Sequence, residues 1–224
     1  WNDKGKFSAK NKTILETENA MSADAEDLNK DGYTDLVVAN LYSKNKDGKP
    51  NFATNSYIWW GSKEGFIKEK RTALPTLAAV SVRLADINNT GRTDIMFGQH
   101  RSQETNDAPC YIYMNSPSGF FAENRIDLQG YGALSILAAD LSGSGKKDVI
   151  IINSLSGMAR HSGIEDGPGN EAVAVNGLPM YIYRGNPNKL YGPANVIRVP
   201  ESTAESNMSF ADMEDNGKSS LVHL

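Results

Sequence analysis

The chain has one cysteine, Cys110, so no disulfide within it can brace the fold. Secreted and periplasmic bacterial proteins often do without disulfides, so this does not force a cytosolic reading. It has no excess of basic charge: 23 Lys and Arg face 27 Asp and Glu, for a net charge of −4. With no basic stripe, a nucleic-acid partner has no electrostatic footprint. Long apolar runs are missing as well. In "DVIIIN" only Val149 to Ile152 are uninterrupted, far short of the ~20 residues that span a bilayer as a helix. Helical periodicity is absent throughout. What remains is 39% hydrophobic and 22% charged, which is ordinary for a globular chain.

What the chain has is repetition. "SADAEDLNKDGYTDLVVAN" (22–40), "SVRLADINNTGRTDIMFGQ" (81–99), "SILAADLSGSGKKDVIIIN" (135–153) and "MSFADMEDNGKSSLVHL" (208–224) align on Asp27, Asp86, Asp140 and Asp212. The first loop, "DLNKDGYTD", begins like an EF-hand calcium loop, D-x-[DN]-x-[DN]-G-x5-E. Its twelfth position is Val38, not the bidentate Glu that an EF-hand needs. A second block follows each of the first three loops: "SYIWWGSKEGF" (56–66), "CYIYMNSPSGFF" (110–121) and "MYIYRGNPNKLY" (180–191). "WNDKGKF" (1–7) matches the tail of that block.

Each repeat divides into four short strands. Strand A leads into the loop near Ser22, Val82, Ile136 and Phe210. Strand B is "DLVVAN", "DIMFGQ" or "DVIIIN", rich in β-branched residues. Strand C is "YIWW", "YIYM" or "YIYR", followed by a Gly-containing turn. Strand D comes from "FSAKNKTIL", "FIKEKRTAL" and "FAENRIDL". The expected fold is therefore all-β, a β-propeller of four-stranded antiparallel blades. The divisions are a blade remnant at 1–20, repeats at 21–74, 75–128 and 129–200, and the start of another at 201–224. The strand C tyrosines alternate with Ile and are expected to pack between blades. Trp59 and Trp60 are adjacent, so they point to opposite faces; one is expected between blades.

The D-x-N-x-D-G-x-x-D loop between strands, with its aromatic third strand, resembles the FG-GAP/VCBS repeats of integrin α-subunit heads and bacterial extracellular proteins. The resemblance covers nearly the whole chain. It implies a ring of seven blades, with the missing ones supplied by the rest of a longer chain or by another chain. A smaller ring closed by the two termini is the alternative. It also implies structural Ca²⁺, one per intact loop, held by side chains at positions 1, 3, 5 and 9 and the carbonyl of position 7. All are oxygens, which suits a hard cation. In loop one these are Asp27, Asn29, Asp31, the Tyr33 carbonyl and Asp35; in loop two, Asp86, Asn88, Thr90, the Arg92 carbonyl and Asp94. Loop three has Asp140, Ser142, Ser144, the Lys146 carbonyl and Asp148. Loop four has Asp212, Glu214 and Asn216, but Ser220 at position 9 departs from the pattern. Affinity is expected to fall from loop one, with three carboxylates, to loop two, with two, and loop three is expected to be weaker still. The metal-free reading of each loop is an Asx-type turn.

Strand direction places the metal loops and C–D turns on one face and the B–C loops and D–A links on the other. The B–C loops are long and dissimilar, which makes theirs the expected binding face. Its candidate glycan ligands are Asn40, Tyr42, Gln99, Arg101 and Asn153. Asn40, Gln99 and Asn153 stand five residues after the last loop Asp, where a planar amide can hydrogen-bond sugar hydroxyls or satisfy backbone groups. His100–Arg101 and Arg160–His161, with Tyr42, Tyr111 or Tyr131, are the weak catalytic candidates of a polysaccharide lyase. Three functional readings stand: a calcium-stabilised extracellular or cell-surface binding or adhesion propeller for glycan or protein, a lyase, and a structural module of a larger assembly.

Overall fold

The computed structural model describes residues 5, 8–10, 12–153, 179–185 and 191–199, with the backbone alone of 208–211 and 220–223. The first blade consists of β1 (Ala20–Glu26), β2 (Asp35–Asn40), β5 (Ala53–Trp59) and β6 (Arg71–Leu77), with a small hairpin, β3 (Ser43–Lys44) and β4 (Pro50–Asn51), inside its B–C loop. The second comprises β7 (Ala79–Ala85), β8 (Asp94–Gln99), β9 (Cys110–Tyr113) and β10 (Arg125–Leu128). The third comprises β11 (Ala133–Ala139), β12 (Asp148–Asn153), β13 (Met180–Tyr183) and β14 (Val196–Val199). β15 (Met208–Ala211) and β16 (Ser220–His223) pair as the A and B strands of another repeat. Each four-stranded sheet is an antiparallel A–B–C–D meander, the topology of a propeller blade.

Period-2 alternation builds the interior. Successive residues of a strand face opposite sides of the sheet, so each central strand serves two interfaces. In the second blade Ile95, Phe97, Tyr111 and Tyr113 face the first blade, where they meet Val37, Ala39 and Ile58. Met96 and Ile112, one residue out of phase, face the third blade and meet Val149, Ile151, Tyr181 and Tyr183. Each blade thus offers aromatic side chains of strand C to the blade before it and aliphatic ones to the blade after it.

One expectation needs correction. The outer strands begin later than their alternating sequence implies. Residues 66–70 are a turn, with the Lys70 amide donating to the Ile67 carbonyl at 2.9 Å, and a 3₁₀ turn over Ala122–Asn124 precedes β10. Only after that turn does the chain regain the register Tyr113↔Arg125. Strand A also breaks register once in every blade, between Ala20 and Ser22, Ala79 and Ser81, and Ala133 and Ser135. The offset lets the serines reach across blades: Ser22 Oγ accepts from the Val82 amide at 3.4 Å, and Ser81 Oγ from the Ile136 amide at 3.1 Å.

Hydroxyl anchors reinforce the aromatic interfaces. Tyr113 donates its O–H to the Pro75 carbonyl of the first blade at 2.6 Å, and Tyr183 donates to the Gln129 carbonyl of the second at 2.9 Å. Strand D arginines lie over the strand C rings, Arg71 at 4.2 Å from the centroid of Tyr57 and Arg125 at 3.6 Å from that of Tyr111. Trp59 is buried in the first blade's aromatic face, while the half-buried Trp60 turns to the opposite side and donates to Thr72 Oγ1 at 2.9 Å.

Tyr113→Phe keeps the packed ring and strips the Pro75 carbonyl of its donor. We expect a loss of about 1–2 kcal/mol of unfolding free energy in urea titration, against no more than about 0.5 kcal/mol for the exposed Tyr33→Phe. Equal effects of the two substitutions would show that the anchor does not hold the interface.

Candidate metal loops and ligand face

All three described loops share one backbone. Position 6 is glycine with φ of 89° (Gly32), 77° (Gly91) and 79° (Gly145), in the left-handed region where a Cβ is unfavourable. Position 4 is also left-handed, at 61° for Lys30, 57° for Asn89 and 69° for Gly143. This double reversal turns the loop's amides inward. The position-1 carboxylate takes two of them: Asp27 accepts from Asp31 and Gly32, Asp86 from Thr90 and Gly91, and Asp140 from Ser144 and Gly145, at 2.6–3.1 Å.

Convergence follows from those bonds. Asp27 Oδ1 and Asn29 Oδ1 both accept the Asp31 amide, at 3.1 and 3.0 Å. In loop two Asp86 Oδ1 and Asn88 Oδ1 likewise share the Thr90 amide, at 3.0 and 3.2 Å. The oxygens of positions 1 and 3 are therefore gathered at one point. In loop one Asp31 lies beside them, bonded to Asn29 Nδ2 and to the Tyr33 amide, both at 2.9 Å.

Position 9 differs from the other ligands. Asp35, Asp94 and Asp148 are fully buried. One oxygen of each accepts the amide of loop position 2 (Leu28, Ile87 or Leu141, 2.9–3.2 Å), and the other accepts an amide just past strand C (Gly61, Asn115 or Gly185, 2.8–2.9 Å). This carboxylate ties the A–B loop to the exit of strand C. Burial pushes Asp35 above the ordinary carboxylate range and Asp94 up to about 6, opposed by those amides and reinforced by repulsion from Asp27 and Asp31, or from Asp86.

Among the described residues no group of three or more His, Cys, Asp or Glu side chains stands at metal-binding spacing. Loop one has three carboxylates, yet Asp35 turns both oxygens to backbone amides. The shared donor set is carboxylate, carboxamide, hydroxyl and carbonyl oxygen, which matches a hard cation and not a soft one. Among the described residues Asp27, Asp31 and Asp35 form no ion pair, so their mutual repulsion has no side-chain cation to relieve it. These residues fit calcium. Loop three fits it less well, with two carboxylates and Arg184 Nη1 already 3.5 Å from Asp148. The loops also touch one another. Asn89 Nδ2 donates to the Gly145 carbonyl, and Lys146 Nζ to the Asn88 carbonyl at 2.9 Å. Loop four, with Asp212, Glu214 and Asn216, lies outside the described residues; Ser220 is described by its backbone alone, as the first residue of β16.

On the opposite face the three amides do one job in common. Asn40 Nδ2 donates to the Asn55 carbonyl, Gln99 Nε2 to that of Pro109, and Asn153 Nδ2 to that of Pro179, in each case just before the core of strand C. Gln99 Oε1 accepts from the Leu77 amide and Asn153 Oδ1 from that of Tyr131, in the link from the preceding blade. All three side chains are buried. They join backbone segments, and their burial keeps even the unpartnered Asn40 Oδ1 from a sugar, whereas Tyr42 is only half-buried, beside Phe52 at 6.1 Å between centroids. His100 is 3% exposed and its amide donates to the Ala78 carbonyl, so the ring is held inside the blade and not in the open loop where a lyase base would meet substrate. Tyr111 is buried at the blade interface, and Tyr131 is half-buried. Arg101 lies over the Phe52 ring at 4.7 Å. Arg160 and His161 lie outside the described residues.

Sequence reasoning missed the double role of the ninth Asp. For the amides it left backbone satisfaction beside sugar binding, and the spacing of five residues from Asp to amide in each described strand B did not by itself say which.

The family model described as FG-GAP repeat matches residues 19–59. That span holds β1, loop one, β2 and β5, three strands of the first blade and the Asp-rich turn that joins β1 to β2. No curated protein matches the chain.

Asp35 and Asp31 differ in what they hold within the loop. In EDTA, Asp35→Asn leaves one buried amide without an acceptor, and we expect a loss of about 1–3 kcal/mol in urea unfolding. Asp31→Asn, on the exposed side of the loop, should shift stability by no more than about 0.5 kcal/mol in the same buffer. Similar losses from both would refute the division.

Proposed function

Because the chain carries an FG-GAP repeat, we propose that it is a calcium-stabilised extracellular binding or adhesion propeller whose B–C face takes carbohydrate. The observation that carries the calcium reading is the loop-one cluster: Asp27 and Asn29 oxygens drawn to one amide, Asp31 beside them and no side-chain cation among the described residues to offset the charge. Calcium would be held by Asp27, Asn29, Asp31, Asp35 and the Tyr33 carbonyl, and in loop two by Asp86, Asn88, Thr90, Asp94 and the Arg92 carbonyl. Bound there, the ion neutralises the carboxylates and fixes the A–B turn of its blade. Its role is structural, because the loops stand at the end of strand B opposite the B–C connections.

The ligand reading rests on that separation of faces. The blades form a rigid frame, and the B–C connections differ from blade to blade, from a lysine-bearing hairpin in the first to a Ser102–Thr105 turn in the second. Variable loops on a rigid scaffold are where binding function concentrates. Half-buried Tyr42, with Phe52 behind it, supplies an aromatic surface for a sugar ring.

Extracellular calcium modules bind with Kd near 0.1–1 mM, so 10 mM Ca²⁺ should add about 1.4–2.7 kcal/mol per intact loop relative to EDTA. Thermal unfolding in the two buffers measures this, and Asp27→Ala should remove the share of loop one. A melting temperature indifferent to EDTA would refute the calcium reading. A glycan array probed in calcium tests the ligand reading, and binding to no glycan would leave a structural module.

A further inference from the structure

Building on the reading of the B–C face as a glycan surface, we infer that Arg101 receives the oxyanion of an acidic carbohydrate, a uronate carboxylate or a sulfate ester. Arg101 is 9% exposed, yet it forms no ion pair with any described residue. Its guanidinium lies 4.7 Å above the Phe52 ring, and Nε donates to the Ser102 carbonyl at 3.2 Å. Among the described residues neither Nη group has a hydrogen-bond acceptor, although both Nη atoms are donors. A guanidinium that has lost most of its water and gained no anion is an unbalanced charge, and its planar fork matches a carboxylate or sulfate.

The site is built and not incidental. Loops from two blades hold it: the Phe52 amide donates to Gln103 Oε1 at 3.2 Å, and Gln103 Nε2 donates to the Pro50 carbonyl at 3.4 Å, which fixes the Ser102–Thr105 turn against the first blade. Glu104 and Asp107, the acidic residues nearest in sequence, are exposed and do not pair with Arg101. The adjoining β3–β4 hairpin exposes Lys44, Lys46 and Lys49 against Asp47 alone, so the approach favours an anion.

A sugar suits this site better than an acidic peptide. A peptide strand needs free backbone partners, but the amides of Leu41, Phe52, Thr54, Ala78, His100 and Ser102 are all bonded within the protein. A ring with one oxyanion asks only for the fork of Arg101 and the half-buried aromatic surface of Tyr42.

Titration calorimetry of the full chain in calcium tests this with a trigalacturonate, its fully methyl-esterified form and a sulfated disaccharide. The acidic probes should bind and the ester at least 10-fold more weakly; whichever acid binds tighter identifies carboxylate or sulfate as the anion. Arg101→Gln should weaken acid binding about 10- to 100-fold at an unchanged melting temperature, as expected for loss of a charge-assisted bidentate contact. Should that variant unfold, Arg101→Lys, which keeps the charge and loses the fork, should still weaken binding by more than 5-fold. Equal binding of ester and acid, or of wild type and both variants, overturns the inference and leaves a neutral-glycan surface intact. Binding of poly-glutamate in preference to every sugar overturns it in favour of an acidic peptide. Failure of acid, ester and all arrayed glycans alike removes the glycan reading itself.

Discussion

The buried carboxylate that opens each strand B is the constraint on which the rest of a blade depends. Asp35, Asp94 and Asp148 are each fully enclosed, and each joins an amide of the loop to an amide beyond strand C. A buried charge of this kind is tolerable only when its lone pairs are filled and its charge is offset. The amides fill the lone pairs. The exposed side of the loop, where Asp27 and Asp31 add further negative charge, is where a divalent ion would supply the offset. The same contact draws the chain close at the C–D turn: a Cβ on Gly61 would lie 2.2 Å from the Thr34 carbonyl oxygen, and one on Gly185 2.4 Å from that of Lys147. In the second blade Asn115 takes this place, and its side-chain amide donates to the Thr93 carbonyl at 3.1 Å. One blade thus replaces close contact with a hydrogen bond.

Blades are joined by a second repeated set of polar contacts, and the first blade shows what those contacts require. In the second and third blades the strand-B amide accepts from the residue two before strand A, and the strand-C tyrosine donates to the carbonyl four before it. The same spacing in the first blade points to Glu18 and Glu16 as partners for Asn40 Oδ1 and Trp59 Nε1. These two buried atoms have no partner among the described residues, while Arg71 Nη1 sits 3.4 Å from the Glu16 carbonyl. Two unsatisfied atoms in one interface, at equivalent positions of a repeat, have one physical cause: the incoming link at 16–18 is seated differently from the links at 75–77 and 129–131.

Much of this was readable beforehand. Strand order, the A–B–C–D meander and the assignment of Tyr111, Tyr113, Tyr181 and Tyr183 to blade interfaces all follow from period-2 alternation and a repeat seen several times over. The start of strand D was misplaced, because "FIKEKRTAL" alternates like a strand while its first residues form a turn. The register break in strand A left no mark on the pattern, since Ser22 and Ser81 look like ordinary polar positions until their partners in the next blade are known. The site was legible to a similar degree. Residue types at positions 1, 3, 5 and 9 pointed to oxygen ligation, but nothing in a linear pattern says that position 9 turns both oxygens to backbone amides. Asn40, Gln99 and Asn153 allowed either sugar binding or backbone satisfaction, and only the partners of each amide group show the second.

Strand B therefore carries a clamp at each end, a carboxylate at its start and an amide at its finish, five residues apart in every described blade. The carboxylate end is charged and gains from a cation; the amide end is neutral and is closed by the protein's own backbone. This asymmetry assigns each face its part. The proposed calcium would sit at the end where the clustered carboxylates have no side-chain cation among the described residues. At the other end the backbone is already satisfied, so recognition falls to side chains reaching past the clamp. There the guanidinium of Arg101 stands on Phe52, just beyond the last residue of its strand B.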